Sequence, residues 1–203
     1  MIDKLKITEK ITKIFLLVII LITIFVVIFN FFFNKKEKEV VIENEIKNFN
    51  YIQVESDIEL FKTEFITLKN ILDKDDINYE EYAKSISKLF IIDFYSLKNK
   101  TSSYDVGGVQ FIYSEFKDNF SLKASDTIYK YLNPNMKELP LVKKVNVISI
   151  EETTFEYKEK EYQSYKLFLN WEYESDYGYE KECILMLIKE NNRLDIVKKT
   201  NIS

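Results

Sequence analysis

The strongest pattern in the chain is a continuous apolar run near its start. Residues 14–33 read IFLLVIILITIFVVIFNFFF, in which only Thr23 and Asn30 are polar. A helix of about 20 residues rises about 30 Å, the thickness of the hydrocarbon core of a bilayer. No Ala, Gly or Ser follows until Ser56, so a signal-peptide cleavage site is missing. The pattern predicts an uncleaved signal anchor, a transmembrane helix over 14–33, behind a short tail over 1–13.

Lysines on the two sides of this run predict its orientation. The side that holds more Lys and Arg tends to stay in the cytoplasm. The tail carries Lys4, Lys6, Lys10 and Lys13, and the far side carries Lys35, Lys36 and Lys38. We therefore expect a single-pass protein of the cell membrane, with a cytoplasmic N-terminus and an extracytoplasmic C-terminal domain. A domain that faces the cytoplasm is the alternative.

Beyond the anchor, the spacing of apolar residues predicts three helices. Residues 34–55 are polar and mixed in pattern, which favours a juxtamembrane stalk, and the domain is expected over 56–203. Apolar residues at steps of three and four predict helices over 56–72 and 78–96, and each start carries a capping-box pair. A third helix is predicted over 115–132, ended by the NPN of 133–135.

From residue 141 onward the apolar period changes to two. Strands are predicted over 141–150, across the long segment that ends at 173, over 182–190 and over 194–200. YKEKEY at 157–162 indicates one hairpin tip, and Asn191–Asn192 indicates another, because Asn tolerates positive φ. The predicted fold class is α+β: an N-terminal transmembrane helix, then about three helices packed on a four-stranded antiparallel curved sheet.

Composition excludes several kinds of chemistry. The chain has no histidine and a single cysteine, Cys183, within the apolar CILMLI. Catalysis of the Ser-His-Asp or Cys-His kind is therefore excluded, as is a cysteine-based zinc site. The net charge is −4 and the charges are spread evenly, so the sequence predicts no basic surface that could bind nucleic acid. We expect no catalytic residues, no metal and no cofactor, so the chain is not predicted to be an enzyme.

Two of the three glycines, Gly107 and Gly108, lie together in DVGGVQFIY. A phosphate-binding loop places its glycines ahead of a helix, usually with a Lys or Ser/Thr behind them. Here the stretch 109–113, which has strand character, follows instead. We interpret the pair as a structural turn between the second and third helices, where backbone can approach backbone closely.

Two further features are candidates for binding. Asp93 lies in the apolar LFIIDFY, which makes it the best single candidate for a functional acid; the alternative is a partly exposed helix residue that points away from the apolar stripe. Four aromatic residues cluster around Gly178 and can bind a partner or a sugar, or pack on the sheet edge. They are Trp171, Tyr173, Tyr177 and Tyr179.

The order of helices followed by an antiparallel meander resembles the nuclear-transport-factor-two-like fold, in which a bent sheet wraps a long helix into a cone. With its membrane span, the chain resembles the periplasmic scaffold subunit of type IV secretion and its Gram-positive conjugation relatives. It is also similar to uncharacterised single-pass proteins of low-GC bacteria, on the stretches YAKSISKLFIIDFYSLKNK, DVGGVQFIY and YESDYGYE.

These resemblances imply an extracytoplasmic interaction or scaffold domain, with the lipid bilayer and protein partners in an envelope or conjugation-type assembly, or a homo-oligomer. They supply no catalytic residues. The alternative that the fold implies is a small-ligand-binding or sensor domain, with Asp93 as the polar group of a cone pocket.

Overall fold

The computed structural model describes residues 45–53, 58–132, 136 and 138–202. The predicted tail and transmembrane helix, residues 1–33, and the first part of the predicted stalk lie outside this range. Among the residues that it covers, no helix is both long and apolar enough to cross a membrane. The anchor over 14–33 therefore stays a prediction from sequence.

The described helices are α1 (Glu59–Leu72), α2 (Tyr79–Tyr95) and α3 (Lys117–Ser125). Helix α2 begins as predicted, because the side chain of Asn78 accepts a hydrogen bond of 3.1 Å from the backbone N–H of Glu81. Helix α1 begins later than predicted, with Ile58 at its cap position and no side-chain cap hydrogen bond. The predicted cap, Ser56, lies outside the described residues.

Helix α3 is shorter than the predicted 115–132, because the helical ladder is broken at the carbonyl of Lys123. This carbonyl accepts the hydroxyl of Thr127 at 2.6 Å, and the backbone N–H of Thr127 bonds the carbonyl of Ala124 at 3.1 Å instead. Such side-chain bonds compete with the helical ladder. Residues 126–131 form turns, and these bring Tyr129 into the core, where it has no exposed surface.

The C-terminal half is an antiparallel meander of four strands, as predicted. They are β3 (Val142–Tyr157), β4 (Lys160–Tyr173), β5 (Glu182–Glu190) and β6 (Arg193–Asn201), and they pair in that order. Strand β3 continues to Tyr157, past the predicted end at 150. The β3–β4 turn consists of Lys158 and Glu159, whose φ values of 51° and 61° are positive without a glycine.

Helix α2 packs on one face of this sheet, and the core lies between them. The predicted inward face of β4 is buried: Tyr165, Leu167, Leu169, Trp171 and Tyr173. Opposite it, Ile86, Leu89 and Phe90 of α2 have no exposed surface. The face that would line the pocket of a cone is therefore filled by side chains.

A short hairpin from the predicted stalk joins the same core. Strands β1 (Glu45–Ile46) and β2 (Tyr51–Ile52) pair antiparallel around a 3-10 turn over Lys47–Phe49. Tyr51 is completely buried, and its hydroxyl donates to the carbonyl of Leu194 in β6 at 2.6 Å. Residues 45–52 thus pack as part of the compact domain.

Candidate functional site

Asp93 lies at the centre of a buried polar unit. Its Oδ1 is 2.5 Å from Nζ of Lys100, and its Oδ2 accepts a hydrogen bond of 2.7 Å from the backbone N–H of Gly108. Only 5% of Asp93 is exposed, so the interpretation as a partly exposed helix residue was wrong. Residues 97–99 form a 3-10 turn that reverses the chain after α2 and brings Lys100 back to the helix. Both carboxylate oxygens bind groups of the same domain.

The paired glycines complete this unit. Gly108 has a φ of 75°, and a Cβ there would lie 2.7 Å from Cδ2 of Phe90. A Cβ on Gly107 would lie 2.8 Å from Nζ of Lys100. The N–H of Gly107 donates to the hydroxyl of Tyr129 at 3.1 Å. The turn therefore lies directly against α2, and the N–H groups of both glycines are used within the domain.

The four candidate aromatic residues separate into buried and exposed members. The ring of Trp171 lies 4.5 Å from that of Tyr95, measured between centroids, and Trp171 is buried in the core. The hydroxyl of Tyr173 donates to the carbonyl of Glu180 at 2.7 Å, and its ring meets Tyr179 edge to face at 6.4 Å. Tyr177 is exposed. Most of this group therefore packs against the sheet.

A second charged cluster, which sequence did not indicate, adjoins Trp171. Oε2 of Glu180 accepts hydrogen bonds from the hydroxyl of Tyr95 and from Nζ of Lys199, the latter at 2.7 Å. Burial, strengthened by the neighbouring carboxylate, raises the pKa of Tyr95, so this phenol stays protonated and remains a donor. Burial also raises the pKa of Cys183 to about 12, which makes its thiol unreactive at neutral pH.

This cluster closes one end of a groove between α3 and β6. Two cavities of about 460 and 300 Å³ share Phe120, Lys123 and Lys199 in their linings. Their inner walls are formed by Phe90, Phe94 and Tyr95 of α2. We call this feature the α3–β6 groove. Because its lining comes from three elements that are distant in sequence, no local motif could indicate it.

A polar pocket of about 520 Å³ surrounds the β5–β6 turn, and Asn48, Lys117 and Asn192 are among its lining residues. Arg193, the chain's single arginine, also lines this pocket. That guanidinium bonds the carbonyls of Phe49 and Gln110. Its cationic carbon lies 4.1 Å from the ring centroid of Tyr51. The arginine therefore ties the β1–β2 hairpin to β6.

Asp195 beside Arg193 shows opposing electrostatic effects. Burial raises the pKa of its carboxyl, and the guanidinium, whose Nε donates to Oδ1 at 2.9 Å, partly offsets that rise. The pair is thus an internal brace whose charges are matched within the domain.

Among the described residues, no group of three or more His, Cys, Asp or Glu side chains is arranged to hold a metal ion. Comparison with known proteins gives no match, whether with family models, with curated proteins or with solved structures.

Proposed function

We propose that this chain is a single-pass membrane protein whose extracytoplasmic domain binds protein partners, as an interaction or scaffold module of an envelope assembly. The observation that carries the proposal is the filled face of the sheet. Leu167, Leu185 and Leu187, which belong to the hydrophobic core, have no exposed surface. A domain that is packed in this way offers its outer surfaces, rather than an inner chamber, for recognition.

The environment of Asp93 supports the same function over a sensor or an enzyme. A carboxylate that acts on a ligand must reach it in a cavity. The carboxylate of Asp93 instead bonds Lys100 and the backbone of Gly108. Its buried ion pair therefore supports a structural role over the ligand-binding role that the cone-pocket alternative gives it.

Cross-linking in intact membranes tests the proposal. Full-length protein is treated with a short amine-reactive cross-linker, and the adducts are identified by mass spectrometry. We expect discrete adducts with a second copy or with other envelope proteins, joined through surface lysines of 45–202. Recovery of monomer alone, at native expression level and with a known membrane complex cross-linked in the same sample, would contradict the proposal.

Orientation is tested separately by cysteine labelling. Tyr104 is 85% exposed, so Tyr104→Cys places a reactive thiol on the surface, whereas the native Cys183 is buried and serves as the unlabelled control. We expect a membrane-impermeant maleimide to label the variant on intact cells. Labelling only after lysis would place the domain in the cytoplasm instead.

A further inference from the structure

Strand β6 is the last strand of the sheet, and the first half of its outer edge is already occupied. The carbonyl of Leu194 accepts from the hydroxyl of Tyr51, and its N–H donates to the hydroxyl of Tyr82 at 3.2 Å. Further along, the carbonyl of Ile196 accepts from the N–H of Tyr113 at 3.0 Å, where Ile112 forms a parallel bridge with Ile196. This edge therefore already accepts strand-like pairing from its own chain.

The second half of the edge is different. Within the residues that the structure describes, no backbone group from outside the sheet hydrogen-bonds to Lys198–Asn201. These four residues extend about 13 Å, and the α3–β6 groove follows them between Ile196 and Asn201. An unpaired strand edge beside a groove is a template for an added strand.

The groove can also accommodate the side chains of such a strand. Phe120 of α3 and Ile128 are partly exposed within it, and Phe94 forms its floor. Side chains alternate across a strand, so one set of an added strand would face these apolar residues. The other set would face the rim toward solvent.

The rim of the groove is basic, in contrast to the overall charge of −4. Lys123 and Lys198 are exposed, and in the described part of the chain neither forms an ion pair. Lys199 is matched by Glu180 at 2.7 Å. The unmatched positive charge therefore favours an occupant that carries acidic side chains.

We propose that the α3–β6 groove takes up an extended segment of a partner protein, with alternating apolar and acidic residues, which adds as a strand to β6 along Lys198–Asn201. Backbone hydrogen bonds supply affinity and the alternation supplies specificity, as in other strand-addition complexes. This inference rests on the proposed function as an interaction domain and names the class of its partner.

Hydrogen exchange with a defined probe tests the inference. The full-length chain, in nanodiscs of phosphatidylcholine, is mixed with a capped hexapeptide of alternating valine and glutamate. We expect amide exchange in 197–201 to slow about tenfold or more at saturating peptide, because strand pairing protects the edge. The same peptide with every backbone amide N-methylated has lost its donors along both edges and should give no protection. Unchanged exchange with millimolar unmodified peptide would overturn the inference.

Charge reversal on the rim provides a second measurement. Lys123→Glu and Lys198→Glu should each weaken peptide binding several-fold, whereas Lys144→Glu, on an exposed position of β3, is the matched control and should not. Equal effects from all three substitutions would show a non-specific charge effect and would contradict a site in the groove.

Vesicles separate a lipid from a peptide. If anionic phosphatidylglycerol vesicles protect 197–201 and the peptide does not, the groove binds lipid and the inference is wrong. The outcome for the proposed function is independent: cross-links to partners that persist without peptide binding would leave an interaction domain that uses another surface. If neither cross-links to partners nor protection by the peptide is observed, both the proposed function and the strand-addition site are overturned.

Discussion

At the residue scale, Gly108 and Gly178 form a natural pair for measuring the cost of packing. Their φ values are 75° and 78°, but a Cβ at Gly108 would meet Phe90, whereas a Cβ at Gly178 would meet nothing within 4 Å. We expect Gly178→Ala to cost about 1 kcal/mol of unfolding free energy, from backbone strain alone. Gly108→Ala should cost about 1–3 kcal/mol more, because the core there is already filled. Urea unfolding of both variants measures the difference, and equal losses would contradict the close approach to α2.

The ion pair of Asp93 and Lys100 gives the second prediction at this scale. Lys100→Met leaves a buried carboxylate without its cation and should destabilise the protein by about 3–5 kcal/mol. Adding Asp93→Asn removes the uncompensated charge and keeps an acceptor for the N–H of Gly108. We therefore expect the double variant to recover at least half of that loss.

A thermodynamic cycle over the two single variants and the double variant checks this prediction. If the ion pair is structural, the two substitutions should show a coupling energy in unfolding at least as large as the recovered loss. Peptide binding in the groove should stay unchanged. If the losses of unfolding free energy in the two single variants simply add in the double variant, Asp93 acts independently of Lys100. Asp93 would then again be a candidate functional acid.

Sequence reasoning identified Asp93 and the glycines but not their connection. An acid in an apolar stretch and a Gly pair are visible locally, so each could be predicted. Their contact depends on the turn over 97–99, which folds Lys100 back onto α2 and has no distinctive sequence. Arg193 was missed for a related reason, since its partners, Phe49 and Gln110, lie 144 and 83 residues away. A single arginine among many lysines was the one signal that could have drawn attention to it, because a guanidinium bonds several acceptors in a fixed fork.

At the scale of elements, Arg193 holds the β1–β2 hairpin in place. An isolated two-stranded hairpin is marginal in water, so this one depends on its anchors. Arg193→Lys keeps the charge but loses the fork that bonds both Phe49 and Gln110. We expect amide exchange in 46–52 to become at least about tenfold faster, with a smaller loss of global stability.

Lys160→Met is the control for the hairpin experiment. Lys160 bonds Glu190, which flanks the β5–β6 turn together with Arg193. This ion pair is exposed, and exposed pairs of this kind contribute little to stability. Exchange in 46–52 should therefore remain as in the native protein. A hairpin that is equally protected in Arg193→Lys would show that Tyr51 alone suffices to anchor it.

The elements that sequence predicted well are those with a strong period. The alternation in β4 survives in the structure because that strand buries one apolar face, whereas α2 is buried beyond its predicted stripe, on nearly every side between Ser85 and Tyr95. The third helix was predicted too long because its stripe continues past Ser125, although the hydroxyl of Thr127 bonds the carbonyl of Lys123 and its N–H turns to the carbonyl of Ala124. The β3–β4 turn needed no glycine, since Lys158 and Glu159 themselves adopt positive φ.

At the scale of the whole domain, the core is unusually phenolic. Tyrosines with raised pKa values are buried at both ends of α2 and on the sheet: Tyr51, Tyr82, Tyr95, Tyr129 and Tyr173. In each case desolvation is the largest cause of the shift. Hydroxyls such as that of Tyr129, which donates to the carbonyl of Phe94 at 2.5 Å, connect elements that apolar contact alone would leave free to slide.

This phenolic core predicts how stability depends on alkaline pH. In the unfolded chain a tyrosine loses its proton near its ordinary pKa of 10.0, whereas the buried phenols hold theirs to higher pH. Above that pH the folded state binds more protons than the unfolded state, so the free energy of unfolding must fall as pH rises. Each phenol contributes about 1.4 kcal/mol per pH unit, and several together exceed the total stability of an ordinary domain within about one to two units.

We therefore expect stability that changes little below about pH 9 and cooperative unfolding near about pH 11. Urea midpoints measured across this range, together with tyrosinate absorbance, check the prediction, because the buried phenols should ionise only as the fold is lost. Tyr173→Phe removes one such proton and should make the fall in stability shallower by about 1.4 kcal/mol per pH unit. If every tyrosine ionised gradually while the domain stayed folded, water would have to reach these hydroxyls. The sheet face would then not be filled by side chains, and the main support for the proposed interaction function would be lost.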